Sequence, residues 1–599
     1  MNRFKRIGIF LVVVLFCVSC SDYLDQVPDD RLTLDETFTS ENRVLDFLAN
    51  VYSRLPSENQ RWTGGNNGPW TGASDEAEFV WAYYYQNSVN LGAWDATTGH
   101  VNDVWSNYYQ GIRAATYFMD NVDQCQECAP SRIERYKAEA RALRAVFYYN
   151  LMRIFGPVVT LGNKTLPPDA SLEQVQKART PFDQGVNFVV NQLDSAAANL
   201  PATPPTNAYH GRMTKPYLQG VKVDLLLIAA SPLFNGNTDY ADLINPDGTQ
   251  LVSQQYNESK WKRAADAAKE FIDAYVPGTF SLYRKNGPDG EFSPYLSTRD
   301  VVLDEWNREI IMARPGATVD QYARYPYHSG EDGNNRGAGG LGATQSIVDA
   351  YFMENGRPID DPQSGYQETG FSQFQAPYDT EERRTFNQWV NREPRFYVGI
   401  TYNNSLWLNT DPEPIITETW FEGNSGQQIG GNDYTPTGYI VRKHASTGGY
   451  SSEPQTIVMM RLAEIYLSYA EALNEYDPGN PDILEFLNRI RNRAGIPEYG
   501  SDELEAPSSQ EEMREAIHHE RQVELAFEDK RYFDARRWKT AEEEFGGPMY
   551  SMDIFATPES EFYNKIVFEE RVFEMRHYLY PIPQDEVNIN SNLVQNPGW

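Results

Sequence analysis

Trp62, Trp70, Trp81, Tyr83, Tyr84, Tyr85 and Trp94 are interleaved with Asp75, Asn90 and Asp95 within residues 61–100. These residue types suit carbohydrate binding. Flat aromatic faces stack on the apolar C–H faces of sugar rings, and planar polar side chains take hydroxyls through paired hydrogen bonds. By analogy with aromatic pairs, a stacked ring contributes about 1 kcal/mol beyond the area it buries. The competing reading is packing: Trp81 and Tyr83 against a core segment, Trp94 as the staple of a loop. For Trp62, Trp70 and Tyr83 the packing reading is preferred, while Trp81 and Tyr84 stay candidates for the ligand. Later loops add Tyr325, Trp407 and Trp420 as candidate ring faces, with Arg392, Asn403 and Asn404 as polar partners. His328 is read as an ordinary surface histidine.

Other constellations are discounted. Arg461, Glu464, Glu471, Glu520, Arg521, Glu524, Arg531, Asp534, Arg536 and Arg537 are dense enough to suggest catalysis. At helical spacings of three and four, such charges form ion pairs or a solvated face. The run GEDGNNRGAGGLGATQ lacks the terminal Gly-Lys-Ser/Thr of a phosphate loop. A glycosidase needs two carboxylates at a defined separation, and no motif marks such a pair among the 84 acidic residues. Cys125 and Cys128 read Cys-Gln-Glu-Cys between two helices, a setting for a local disulfide or two free thiols. Zinc would need two more ligands, and no histidine lies near. No metal or cofactor is expected.

The elements that must position the binding residues are mainly helices. In 139–155, Leu143, Val146, Phe147, Leu151 and Ile154 recur at spacings of three and four, the mark of an amphipathic helix. Gly156-Pro157 ends it. Residues 215–230 are apolar on nearly all sides and predict a buried helix. Further helices are expected over 260–275, 458–475, 483–493 and 511–529. Alanines at their contacts suggest stacked helical hairpins, although no clean 34-residue repeat is present. Residues 278–449 have another texture, rich in Gly, Pro, Asn and Asp, with short alternating pieces such as 396–402 that read as strands. The expected fold is mostly α: a scaffold of tetratricopeptide-like helix pairs, long irregular loops and a few short strands. Binding residues usually sit on such loops.

Composition narrows the partners. The net charge is −32, 52 basic against 84 acidic residues, and becomes −35 once Arg3, Lys5 and Arg6 leave with an N-terminal signal. Nucleic acid is disfavoured, because its binding depends on Lys and Arg neutralising phosphates. A neutral ligand is not penalised. At the N-terminus, residues 7–18 are almost wholly apolar behind a basic start, which is too short for a membrane span of about 20 apolar residues and right for a secretory signal. Ser19 then precedes Cys20, and acidic residues follow. The pattern resembles a bacterial lipoprotein signal cut before a cysteine that carries lipid. Cys17 stands where such signals usually have Leu, and an ordinary secretory signal with an incidental cysteine is the alternative.

Several segments carry a wider resemblance. They are CSDYLDQVP at the start, SDEAE at 74–78, WSNYYQGIRAATYFMDNV at 105–122 and EARALRAVFYYNLMRIFGPVV at 139–159. MRLAEIYLSYAEALNE at 460–475, ERQVELAFEDKRYFDARRW at 520–538 and the ending LYPIPQDEVNINSNLVQNPGW continue the order. The chain resembles the RagB/SusD family of Bacteroidetes outer-membrane lipoproteins. The resemblance implies four tetratricopeptide-like helix pairs and an irregular ligand-binding part. It implies capture of an oligosaccharide or polysaccharide, in some members a peptide, and a SusC-like TonB-dependent transporter as partner in the outer membrane. It also implies Asp75 and Trp94 as ligand-site residues, Cys20 as the lipid carrier, and display on the outer face. The segments divide as signal 1–19, tether 20–38, an N-terminal region with helical repeats and binding loops 39–277, a loop-rich binding region 278–450 and a C-terminal helical region 451–599. A glycan-cleaving surface enzyme and a protein-binding helical adaptor are the alternatives to a glycan-capturing lipoprotein.

Overall fold

The computed structural model describes residues 38–55, 70–167, 169–315, 337–408, 414–445 and 456–599. The principal helices, in chain order, are α1 (Glu41–Tyr52), α2 (Gly99–Asn121), α3 (Pro130–Phe155), α4 (Phe182–Ala197) and α5 (Lys215–Ala230). They continue with α6 (Ser259–Tyr275), α7 (Leu462–Tyr476), α8 (Pro481–Ala494), α9 (Gln510–Glu524) and α10 (Arg531–Trp538). From α2 to α8 each packs against the next, and α9 packs back on α7. The result is a stack of helical hairpins.

Local chemistry sets the joints. α2 buries Val101, Trp105, Tyr108, Ile112, Ala115 and Phe118 along one stripe. Gly111 lets α2 approach α3 closely, since a Cβ there would meet the Phe147 ring at 2.7 Å. Pro130 opens α3 where a missing N–H costs nothing, and Gly156 ends it at φ +74°. Between α2 and α3 Cys125 and Cys128 form a disulfide, so of the two expected states the oxidised one is present. In α8, Asn480 caps the start by accepting a hydrogen bond from the Asp482 amide at 3.1 Å, and Gly495 in the left-handed region closes the end.

Strand β1 (Ala77–Phe79) and three later strands, β2 (Ile310–Arg314), β3 (Leu341–Ala343) and β4 (Ile457–Arg461), fasten the loop-rich part to the stack. α6 packs directly on α7 although some 180 residues separate them in sequence, so the loop-rich region is an insertion between two neighbouring helices. Antiparallel pairing of β2 with β4 closes the base of that insertion. A second apolar core holds the inserted layer together around Phe79, Ile347, Trp389, Phe396, Tyr402 and Tyr439.

Three expectations need correction. Residues 457–461 form a strand, and helix begins only at Leu462. Residues 394–399 are a short helix leading into a two-residue strand, not a strand throughout. α9 ends at Glu524 rather than running to 529, because Phe527 and Asp529 adopt positive φ in the turn that follows.

The charged cluster is an ion-pair network, and it is buried rather than solvated. Arg461 pairs with Glu309 at 2.8 Å, Glu524 at 2.6 Å and Glu528 at 2.7 Å. Arg395 reaches Glu393 at 2.6 Å, Glu520 at 2.5 Å and Glu524 at 3.1 Å. Arg491 pairs with Glu520 and Arg493 with Glu309. These groups bind the inserted layer to α7, α8 and α9.

Candidate ligand-binding site

The site begins with β1. Ala77 pairs with Ala343 and Phe79 with Leu341, and the Val80 amide extends the ladder to the Gly340 carbonyl at 3.0 Å. Beyond it the chain turns, with the Tyr84 amide donating to the Trp81 carbonyl at 3.2 Å. Asn87 Nδ2 clamps the turn by donating to the carbonyls of Phe79 at 3.1 Å and Trp81 at 3.2 Å. The turn presents a short stair of rings. Phe79 and Tyr84 stack at 4.4 Å between centroids and 12° between planes. Tyr83 lies 4.9 Å from Tyr84 and 6.4 Å from Trp81, nearly parallel to Trp81 at 25°. Tyr83 is 63% exposed, Trp81 is half-buried and Tyr84 is buried beneath them.

Trp81 is fixed twice. Its ring lies on Gly340, which leaves no room for a Cβ. Its indole N–H donates to Asp433 Oδ1 at 3.2 Å. The next residue, Tyr434, meets the exposed Phe555 edge-on at 6.3 Å, and burial keeps its hydroxyl above the usual tyrosine range and neutral. Rigid aromatic faces beside a half-buried carboxylate are what a neutral sugar needs for stacking and hydroxyl recognition. Among the described residues no cluster of three or more His, Cys, Asp or Glu is placed to hold a metal ion.

The other expected site residues fall elsewhere. Asp75 is buried and accepts two hydrogen bonds from the Arg531 guanidinium, each at 2.9 Å, so its carboxylate is committed to the fold. Trp94 is 4% exposed. Its ring is enclosed by Tyr580 at 4.5 Å, Trp599 at 4.6 Å, His577 at 5.6 Å and His100 at 5.6 Å, which makes it a staple for the C-terminus and offers no face to a ligand. Trp407 is buried under the Arg442 guanidinium, 4.8 Å above its ring. Arg392 is buried and donates to the carbonyls of Gln388 at 3.0 Å and Val348 at 2.6 Å. Asn403 donates to the Tyr563 hydroxyl at 2.9 Å. Trp420 is half-buried against the second core. Tyr325 and Cys20 lie outside the described residues. Sequence reasoning passed over Tyr83 as packing. Its position in the turn between Trp81 and Tyr84, one residue out of phase with the buried Tyr84, is the signal that could have found it.

Known proteins bear directly on this arrangement. Residues 308–599 match the SusD family model, and residues 22–216 match the model described as starch-binding, associating with outer membrane. The chain belongs to the SusD-like family. It is similar to SusD-like protein P25 of Formosa agariphila, with 22% identity across 99% of this chain and 98% of that protein. SusD-like protein P2 of the same organism is 35% identical over 145 residues, 24% of this chain and only 26% of P2. The solved structure of BT4246 superposes with a TM-score of 0.79 at 25% identity, covering 94% of this chain and all of that one. No helix among the described residues is long and apolar enough to cross a membrane.

Proposed function

We propose that this chain is a surface glycan-binding lipoprotein that captures oligosaccharides on the Trp81–Tyr83 ring pair and passes them to a SusC-like TonB-dependent transporter. The reading places it on the outer membrane through lipid on Cys20 and gives it no catalytic step. The observation that carries it is Tyr83, an exposed ring nearly parallel to a Trp81 that is locked by Gly340 and Asp433. Family membership and the starch-binding description of the matched N-terminal model support it. The net charge of −32 does not penalise a neutral glycan.

The test is retardation of the purified protein in native gels cast with plant, microbial and host polysaccharides, followed by calorimetry on the hit. Reversible binding without new reducing ends is expected. Tyr83→Ala should weaken the hit about fivefold, the equivalent of about 1 kcal/mol for one stacked ring. New reducing ends would replace the proposal with an enzyme. Retention of a transporter partner with no glycan shift on the whole panel would replace it with an adaptor or a peptide binder.

A further inference from the structure

The helical layer holds a separate cavity of about 470 Å³, within the range of about 300–1,000 Å³ usual for small-molecule sites. It opens between α2, the segment after α3 and two short helices, Leu172–Val175 and Gln584–Ile589. Its inner wall is Ile112, Val159, Leu161 and Leu593. Trp105 also lines it but is buried edge-on against Phe155 at 5.1 Å, so the inner wall is mainly aliphatic. The Tyr109 hydroxyl closes the floor by donating to the Val159 carbonyl at 2.9 Å.

The mouth has a different character. Arg113, Lys164 and Lys177 face a single lining carboxylate, Glu586, in a chain whose net charge is −32. Lys164 is paired with Asp120 at 2.8 Å. The side chains of Arg113 and Lys177 make no ion pair or hydrogen bond with other described residues. The two short helices beside the mouth are held in place. They expose Leu172 and Ile589 outside the cavity, each 71% exposed, and the lining Val175, 45% exposed. Gln176 Nε2 donates to the Ile589 carbonyl at 2.7 Å, and Asn590 Nδ2 donates to the Lys177 carbonyl at 2.9 Å, tying the two short helices together.

We propose that this cavity is a second ligand site, for a small amphipathic carboxylate. Its apolar body would lie among Ile112, Val159, Leu161 and Leu593, and its carboxylate would meet Arg113 and Lys177 at the mouth. A bare inorganic anion would leave the aliphatic wall unused, and a neutral apolar molecule would leave the cations unused. A cavity of about 150 Å³ with aliphatic and aromatic walls already holds a benzene ring, so the body can be substantially larger.

Decanoate, kept below its micelle threshold, is the probe, titrated into the full chain by calorimetry with decanol as the uncharged control. Saturable binding of one decanoate is expected, about tenfold tighter than decanol. Arg113→Gln should cost about tenfold for decanoate, as for a charge-assisted hydrogen bond, and leave decanol unchanged. Leu161→Trp, which puts a bulkier indole into the aliphatic wall, should weaken both while polysaccharide retardation persists. Val175→Glu changes an exposed rim residue, so folding is not at stake, and should weaken decanoate by a further route. Absence of saturable binding to the wild type, equal affinity for decanol, or binding unmoved in both Leu161→Trp and Val175→Glu would each overturn the proposal.

Discussion

Trp94 is buried and Tyr83 is exposed, the reverse of the expectation from sequence, and the reason is non-local. Both are large rings in the same irregular stretch. What covers Trp94 is Tyr580 and Trp599, brought in from the far end of the chain, and nothing within residues 61–100 announces them. Trp94→Ala should therefore cost about 3–5 kcal/mol of stability, the usual loss for removing a buried large ring. Its glycan affinity per folded molecule should match the wild type. Urea unfolding and calorimetry on one preparation check both halves, and a stable variant with lost affinity would return Trp94 to the binding site. Glu76 gives a second residue-scale prediction. Its carboxyl is fully buried, with one oxygen accepting from the Phe527 amide at 3.0 Å. Burial first, then the nearby Asp75, push its pKa from 4.5 up to about 8. The folded state thus keeps a proton that the unfolded state loses above pH 4.5. Glu76 leaves stability untouched below that point and lowers it as pH rises from 4.5 to 8, by about 1.4 kcal/mol per pH unit at most. Glu76→Gln should remove this component. Unfolding free energies at pH 5, 6.5 and 8 should show the variant gaining on the wild type with pH, and a constant difference would contradict the assignment.

At the scale of elements, what was legible depended on how many faces are buried. α5 matched its predicted bounds, 215–230, because a long apolar run closed by Pro232 has few alternatives. Residues 457–461 did not, because a short apolar strand feeding a buried helix carries the same pattern as the helix itself. The charges of α9 were legible as ion pairs but not as buried ones, since their partner Arg395 comes from the inserted layer. Burial changes their energetics. Removing one member leaves an uncompensated buried charge, at a cost of about 3–5 kcal/mol. Arg461→Met takes one cation from Glu309, Glu524 and Glu528 at once, leaving them to Arg493, Arg395 and Lys443, and should be strongly destabilising. A thermal midpoint within a degree or two of wild type would show the network to be dispensable. The network also has a pH signature. Burial raises the Glu528 pKa, but Arg461 and Lys443 outweigh it and hold the carboxyl down at about 2. Its stabilisation is complete above the ordinary 4.5 and is lost as pH falls toward 2. The inserted layer should loosen from the helices in that window, an event that hydrogen exchange along 457–461 would report.

At the scale of the molecule, the insertion between α6 and α7 separates two tasks. The helical stack is continuous without it, as the direct packing of α6 on α7 shows. The inserted layer, together with β1 and the turn after it, carries the ring pair. Sequence periodicity made the stack legible because each helix repeats its signal every turn. The layer was legible only as texture, because its geometry rests on pairings such as Phe79 with Leu341 that no local pattern encodes. This division makes the anchor separable from the site. Under the proposed function, lipid on Cys20 contributes no contact to the glycan. It raises the effective concentration of the binding layer beside its transporter. An acylated cysteine holds by burying its chains at about 0.8 kcal/mol per CH₂, which a single side-chain change removes completely. Cys20→Ala should therefore move the protein out of the membrane fraction while leaving glycan affinity in solution unchanged, and growth on the bound polysaccharide should fall. Fractionation has to be done in cells lacking the transporter, so that docking does not mimic anchoring. A variant that still sediments with outer membrane there would overturn the lipoprotein reading, and a released variant that has lost glycan affinity would show that anchor and site are coupled.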